Sequence, residues 1–381
     1  MKTSELQHPT SQVRVRPVMR EAKFSDYENI AALQTRNGLT TKSRDDWMAL
    51  WRENPEYNHA ACRWAIGLVL ETPHGEIVGF IGSIPVGYHF RCRHIRAAVT
   101  TSWVTDPQYR GYSIGLLNAV ERQSDIDLLL TNTASAKAEA CLRCLRWSRV
   151  PVAGWDNSYG WITNYTGFAR SLLSKSSIPI AGALAYPMGA AIYCSEKFRK
   201  SLDQARHSNL AVELCPEVDS RFEEFWNQLA VFKSDSLLGI RDRSTLEWHF
   251  NNQLRRGSAW IVTICKGREM VAYAAFDRVD NPKFGLRRVR LVDFQAVEHA
   301  REALAATLAW MLHKCCAEGV HLLETSAALL RALGDAATVA PYERKLHVWR
   351  YYYKTLNPEL SDALGDPGVW CTSDYDGDAS L

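Results

Sequence analysis

Trp103-Val104-Thr105-Asp106-Pro107-Gln108-Tyr109-Arg110-Gly111-Tyr112-Ser113-Ile114-Gly115-Leu116-Leu117 is the stretch whose reading decides the fold. Ahead of it, residues 97–104 have the β-branched and apolar content of a strand, and residues 106–113, broken by Pro107 and Gly111, read as a loop. Ile114, Leu117 and Val120 then fall on one face, which predicts a helix over 114–123. Residues 128–133 form a short continuous apolar run, the mark of a buried strand. Ser135 can cap a further helix through Trp147, with Ala138, Cys141, Leu142 and Leu145 as its stripe. A strand, helix and strand at this spacing imply two neighbouring parallel strands joined by a right-handed crossover. The turn ahead of the first helix is chemically marked as well. Unpaired amides and the helix dipole attract an anion there, Gly111 removes a side chain where backbone would approach it, and Arg110 adds a cation.

Working outward, residues 1–12 read as a tail and 13–21 as a strand. Ser25 is the expected cap of a helix over 26–36 that ends at Asn37-Gly38, and Ser43 caps a second carrying Trp47, Leu50 and Trp51 on one face. Strand patterns run over 63–71, 76–86 and 88–105, with turns at Pro73-His74-Gly75 and near 92–94. Residues 151–185, with several glycines and prolines, read as a linker and surface excursion with a short helix near 168–173. Beyond it come a strand over 190–194, a helix over 221–230, strands over 258–265, 269–277 and 287–294, a strongly apolar helix over 302–316 and a strand over 321–326. This order repeats that of the first half. The expectation is an α/β chain of two mixed central sheets flanked by helices, with one unit at 13–150, an excursion at 151–185 and a degenerate second unit at 186–381.

Composition agrees with two cores. The 381 residues exceed one average domain of roughly 100–200 residues, and 46% hydrophobic against 23% charged residues excludes a disordered or fibrous chain. A net charge of +3 with dispersed basic residues gives no nucleic-acid or membrane-surface footprint. No apolar run is long enough to span a bilayer, and the first residues lack a signal-peptide core, so the expected location is the cytoplasm. The 10 cysteines are then expected to be reduced thiols. The spacings of Cys141, Cys144, His299, His313 and His321 offer no ligand set, and no metal is expected.

The loop resembles the acyl-CoA pyrophosphate loop of the GNAT (Gcn5-related N-acetyltransferase) superfamily, Q/R-x-x-G-x-G/A between a strand and a helix. Gln108, Gly111 and Ser113 stand at the signature positions, and serine at the last is a departure. The resemblance implies an acetyl-CoA or other acyl-CoA donor. The phosphates would be held by Gln108, Tyr109, Arg110, Gly111, Tyr112 and Ser113, and the pantetheine arm by the strand with Trp103 and Val104. The thioester would enter a splay between that strand and the next, where Asn132 and Ser135 face the cleft or serve to end the strand and cap the helix. In the second half, Gln295-Ala296-Val297-Glu298-His299-Ala300-Arg301 occupies the loop position without a glycine, and Glu298 would repel a phosphate. One donor site per chain is therefore expected.

The implied chemistry is direct acyl transfer to the primary amine of a small molecule such as an amino sugar or amino acid. It needs a base for the amine's proton and an acid for the thiolate. Tyr165 and Tyr112 are candidate acids, and Asp293 and Glu139 candidate bases. Each has a structural alternative: interface packing for Tyr165, a cap for Asp293, a solvated helix surface for Glu139. The acceptor is expected between the halves, in a cleft lined by Trp155, Tyr165 and Asp293. The other readings are a Fem-like aminoacyltransferase, against which the CoA-type loop argues, and a GNAT-fold binding protein without catalysis.

Overall fold

The structure is a computed structural model that describes residues 16–59, 64–177, 181–197, 210–332 and 342–381. In chain order the first half contains β1 (Val18–Glu21), α1 (Tyr27–Arg36), α2 (Arg44–Arg52), α3 (Pro55–His59), β2 (Gly67–Glu71), β3 (Ile77–Phe90), β4 (Arg93–Thr105), α4 (Ser113–Val120), β5 (Leu128–Thr131), α5 (Ala136–Cys144) and β6 (Ser148–Arg149). Then follow β7 (Asn157–Ile162), α6 (Tyr165–Lys175), α7 (Ala181–Lys197), β8 (Ala211–Cys215), α8 (Arg221–Phe232), β9 (Leu237–Gly239), α9 (Arg243–Arg255), β10 (Ala259–Lys266), β11 (Glu269–Arg278), β12 (Arg288–Ala296), α10 (Ala300–Ala317), β13 (Leu322–Ser326), β14 (Tyr342–Lys345), β15 (Tyr352–Thr355) and β16 (Trp370–Cys371).

These strands make two mixed sheets. The first runs β1-β2-β3-β4-β5-β15-β6, with β9 on the far end of β3 and β16 beside β9. The second runs β14-β7-β13-β12-β11-β10-β8. In each, one parallel pair (β4 with β5, β12 with β13) is bridged by a helix, as the strand-helix-strand reading requires. The sheets are not consecutive blocks of sequence. β7, from the expected linker, joins the second sheet between β14 and β13, and β15, from near the end of the chain, fills the first sheet between β5 and β6. Both faces of each sheet are covered, giving four apolar clusters. Trp47, Trp51, Trp155, Tyr351 and Trp370 fill one, and α4 and α5 close another over Leu129 and Tyr352.

Local departures from the sequence reading have local causes. Of the expected first strand, residues 13–15 lie outside the described residues. Ser25 does not cap α1: the Asp26 carboxylate accepts from the Lys23 amide (2.8 Å) and pairs with Arg20, winding residues 24–26 into a tight turn first. Ser43 does cap α2, accepting from the Asp46 amide. The expected break near Val86 is absent. β3 and β4 form one long hairpin, turning at Arg91 and Cys92, both with positive φ as a type I′ turn demands. The expected strand at 190–194 lies inside α7, whose alanine-rich run favours a helix and which packs on α6.

One polar cluster joins the sheets. The Arg241 guanidinium, fully buried, donates to Asp293 on β12 (2.7 Å), to Asp376 (2.9 Å) and to the Gly239 carbonyl (2.7 Å), and lies over the Tyr375 ring. Asp293 also accepts from Tyr273 and from Ser373 (2.7 Å), while Tyr88 and Tyr351 from the first unit both donate to the Asp376 carbonyl. Arg241→Met would strand two buried carboxylates, so it is expected to destabilise the protein by about 3–5 kcal/mol. Urea unfolding measures this, and a loss under about 1 kcal/mol would refute the central role of the pair.

Candidate functional site

β4 and β5 pair in parallel only from Ala97 to Val99 and Leu128 to Leu130; beyond that they diverge. At the divergence β4 carries a bulge. Phe80 faces Val104 and Gly82 faces Thr101, so Ser102 and Trp103 stand opposite Ile81 alone, and Ser102 takes a left-handed φ of 54°. A bulge releases main-chain groups from the ladder, and here it does so at the mouth of the gap. The gap holds a cavity of about 160 Å³ lined by Thr100, Thr101, Ser102, Trp103, Thr131 and Thr133, with Ser135, Ala138, Leu117 and Leu142 behind. Trp103 Nε1 donates to the Ser113 carbonyl (3.2 Å), fastening the strand to the start of α4, and Val104 is buried against the core.

The expected loop is wound as a 3-10 helix from Pro107 to Tyr112 that runs straight into α4. Its amides are partly committed: Tyr109 donates to Asp106 and Ser113 to Arg110. The open cradle of free amides read from the sequence is therefore narrower, because the turn satisfies its own donors. Its base is clamped. Asp106 accepts from Arg36 (2.6 Å) and Asn37 (2.8 Å), and those contacts hold its carboxyl below the usual range although burial pushes it up. Gln108, Arg110, Gly111 and Tyr112 are exposed, and Arg110 makes no ion pair among the described residues. A Cβ on Gly111 would meet nothing within 4 Å, and its φ is ordinary. The fold itself does not ask for glycine at 111.

Asn132 and Ser135 have structural partners. Ser135 caps α5 through the Ala138 amide. Asn132, almost fully buried, accepts from the Ala379 amide and donates to the Asp374 carbonyl. It thereby pins the 374–379 segment beside the gap, so closely that a Cβ at Gly377 would collide with its amide. Pinning that segment delivers a carboxylate the sequence reading gave no role. Asp378 accepts from the Thr133 hydroxyl at 2.8 and 2.9 Å, with Thr101 as a second hydroxyl neighbour. It lies deep among protein atoms yet keeps some exposure, and burial raises its carboxyl above the ordinary value. Thr101 and Thr133 both line the cavity.

Of the residues singled out for catalysis and the acceptor cleft, Asp293, Glu139, Tyr165 and Trp155 do not converge. Asp293 is fully buried under Arg241, Tyr273 and Ser373, and its carboxyl, pushed up by burial, is brought below the usual range by the guanidinium. It is a structural counterion with no free face. Glu139 sits on α5 and pairs with Arg149 (2.6 Å), which keeps its carboxyl low and unsuited to hold a proton. Tyr165 opens α6 and packs edge-on against Tyr193 of α7, over the second sheet. Trp155 is in the core of the first unit against Tyr351. The signal for Asp378 was the cluster Thr372-Ser373-Asp374-Tyr375-Asp376-Gly377-Asp378, whose polar content reads as a solvated tail but is mostly buried. Among the described residues no group of three His, Cys, Asp or Glu side chains could hold a metal, and no helix is long and apolar enough to cross a membrane.

No protein-family model matches the chain, and no curated protein resembles it in sequence. Solved structures do resemble it in shape. A GCN5-related N-acetyltransferase from Kribbella flavida superposes with a TM-score of 0.55 at 12% identity, over 91% of this chain and 73% of that one. A GCN5-related N-acetyltransferase from Anabaena variabilis gives 0.54 at 11% identity, over 90% and 73%. Saccharomyces cerevisiae N-myristoyltransferase, solved with myristoyl-CoA and inhibitors, gives 0.52 at 11% identity, over 92% and 82%. With likeness carried by shape along nearly the whole chain, and a bulged, diverging parallel pair in the first sheet, the chain has the GNAT fold, built as two mixed sheets flanked by helices.

Proposed function

We propose that the protein transfers an acyl group, an acetyl in the first instance, from acyl-CoA to the primary amine of a small molecule. The observation that carries the proposal is the half-buried Asp378 carboxylate, held by Thr133 at the mouth of the gap between β4 and β5. A groove at a strand divergence, with main-chain groups released on one wall and a raised carboxyl hydrogen-bonded to a threonine of the other, suits aminolysis of a thioester. The residues fit the donor: Arg110 supplies a cation and Gly111 an uncrowded backbone at the start of α4, and the edge of β4 from Thr101 to Val104 runs along the gap. When bound, the donor supplies an activated carbonyl. The amine forms the C–N bond as the C–S bond breaks. Asp378 takes the proton the amine releases, and a carboxyl raised by burial holds that proton more firmly than an exposed one. Groups freed by the bulge at Ser102 are suitably sited to meet the developing oxyanion.

The second unit has a bulge of its own but no matching loop. At the position matching the loop, His299 has a left-handed φ of 50°, and Glu298 sits near Lys266 (3.9 Å) with no glycine between β12 and α10. Titration calorimetry with CoA is therefore expected to give one site per chain. Gly111→Asp, which the fold tolerates because its Cβ meets no atom, is expected to weaken CoA at least about tenfold by placing a carboxylate on the phosphates. Two equal sites, or unchanged affinity in the folded variant, would remove the loop from the assignment.

The base carries a pH signature. Asp378 acts deprotonated and its carboxyl is raised, so kcat/KM falls as pH drops through that raised pKa and is complete above it. The Thr133 hydroxyl stabilises the charged form. Thr133→Val should raise the carboxyl further and move the acidic limb to higher pH. Asp378→Asn should lower kcat about a hundredfold or more while CoA binding stays. An acidic limb that Thr133→Val leaves in place, or full turnover by the Asn variant, would show that another group takes the proton.

A further inference from the structure

A second polar chamber, of about 280 Å³, lies between the second sheet and the segment that bears Asp378. Its charged walls are Arg288, Arg290, Arg344 and Arg350 against Glu324 and Asp374. Sheet register explains the arginines. Arg288 pairs with Leu322 and Arg290 with Glu324 across β12 and β13, so alternation sets all four on one face, and Arg344 of β14 joins them opposite Ser158 of β7. Arg350 enters from the stretch before β15, its Nε donating to the Trp155 carbonyl.

The charges do not cancel. Glu324 is taken by Arg288 (2.9 Å), and Arg290 by Asp277, outside the chamber. Asp374 stands 4.0 Å from Arg290 and 3.8 Å from Arg350, beyond hydrogen-bonding distance of either, and Arg344 makes no ion pair among the described residues. Two buried polar atoms here have no partner: Nε of Arg288 and Oδ2 of Asp374, a residue only 3% exposed. Leaving a buried charged donor and a buried charged acceptor unmatched is unfavourable, and a ligand offering an anionic group and a donor of its own would satisfy both.

The chamber is tied to the acyl-transfer gap. Arg290 Nη2 donates to the Ala379 carbonyl (2.8 Å), next to Asp378, and Asn132 binds the same segment through Asp374 and Ala379. One short loop thus contributes Asp374 to the chamber and Asp378 to the gap.

We propose that this chamber anchors the acceptor, and that the acceptor is an amine which also carries an anionic group, a carboxylate or a phosphate, together with a hydrogen-bond donor. Guanidiniums take the anion through paired donors, and Asp374 receives the ligand's donor. The inference rests on the acyl-transfer reading and narrows its substrate class. Space is available for a larger body, because Ser158, Arg288, Glu324 and Arg344 also border a 510 Å³ chamber beneath α6 and α7.

The test uses matched amines with acetyl-CoA: tyramine against tyrosine, and glucosamine against glucosamine 6-phosphate, in wild-type, Arg344→Gln and Arg350→Gln protein. The charged member of one pair is expected to be preferred by about tenfold in kcat/KM, with the preference lost in both variants mainly through KM and with CoA affinity unaltered. Which pair responds tells carboxylate from phosphate. In parallel, inorganic phosphate without CoA should raise the Tm of the wild type but not of the doubly substituted protein. Equal use of charged and neutral amines, with no KM change in the variants, overturns the subsite and leaves acyl transfer standing. Arginine-dependent stabilisation by phosphate with no amine turned over removes the acyl-transfer reading and the acceptor assignment with it.

Discussion

A single buried cation between two carboxylates sets the geometry on which the rest depends. Arg241 has no exposed surface, and its partners Asp293 and Asp376 have almost none. Removing three charges from water is expensive, and such a cluster holds only if nearly every donor and acceptor is used. Here the Tyr273 and Ser373 hydroxyls, the Ser373 amide and the Gly239 carbonyl meet most of the remaining valences, while Oδ1 of Asp376 is left without a hydrogen-bond partner. The unequal carboxyls follow from the sharing. Asp293, with the nearer guanidinium bond and two hydroxyl donors, ends below its ordinary value, while burial leaves Asp376 above it. What the cluster supplies is position: Asp376 is fixed two residues before Asp378, so the strand that defines the second sheet also locates the carboxylate beside the first.

The exchange of strands has the same effect on a larger scale. β15 pairs with β5 from Tyr352 opposite Thr131 to Thr355 opposite Leu128, completing a sheet that began more than two hundred residues earlier. Its flanks are heavily aromatic. Tyr351 meets Trp155 edge-on, and Tyr353 and Trp370 pack together, so the return of the chain buries large apolar area where the two units meet. A unit ending at residue 150 would leave β5 with an open edge. The long sequence separation of these contacts also predicts slow, late closure of the first sheet.

What was legible in the sequence was local. The run from residue 97 to 147 is a strand, turn, helix, strand and helix because its apolar spacing alternates between sheet and helix periods, and both units could be read that way. The misses are non-local. β7 was hidden in a glycine-rich stretch because its strand character depends on β13 and β14, which lie far along the chain. Asp293 stands in an apolar strand and Asp378 in a polar terminal run, and neither setting names its partner. Only the fold shows that the first meets a guanidinium and the second meets hydroxyls and an opening. Gly111 was read as the place where phosphate oxygens approach an open run of free amides, and the 3-10 winding, which commits part of those amides, could not be seen in the text.

Comparing the two sheets shows how one geometry is turned to two ends. In both, the parallel pair ends within a few residues of a bulge on its earlier strand: Val99 with Leu130 and then Ser102 in the first, Leu291 with Thr325 and then Val292 in the second. In the first sheet Thr100, Thr101, Ser102, Thr131 and Thr133 lie past the divergence, short side chains that leave room and offer hydroxyls. In the second, Asp293 follows the bulge directly, and Arg241 with Tyr273 fills the space around it. A bulge frees main-chain groups in either case, and what fills the space beside it decides whether they meet a ligand or the protein itself. The second unit has thus given up its gap to a counterion, and that counterion holds in place the segment on which the gap of the first unit relies.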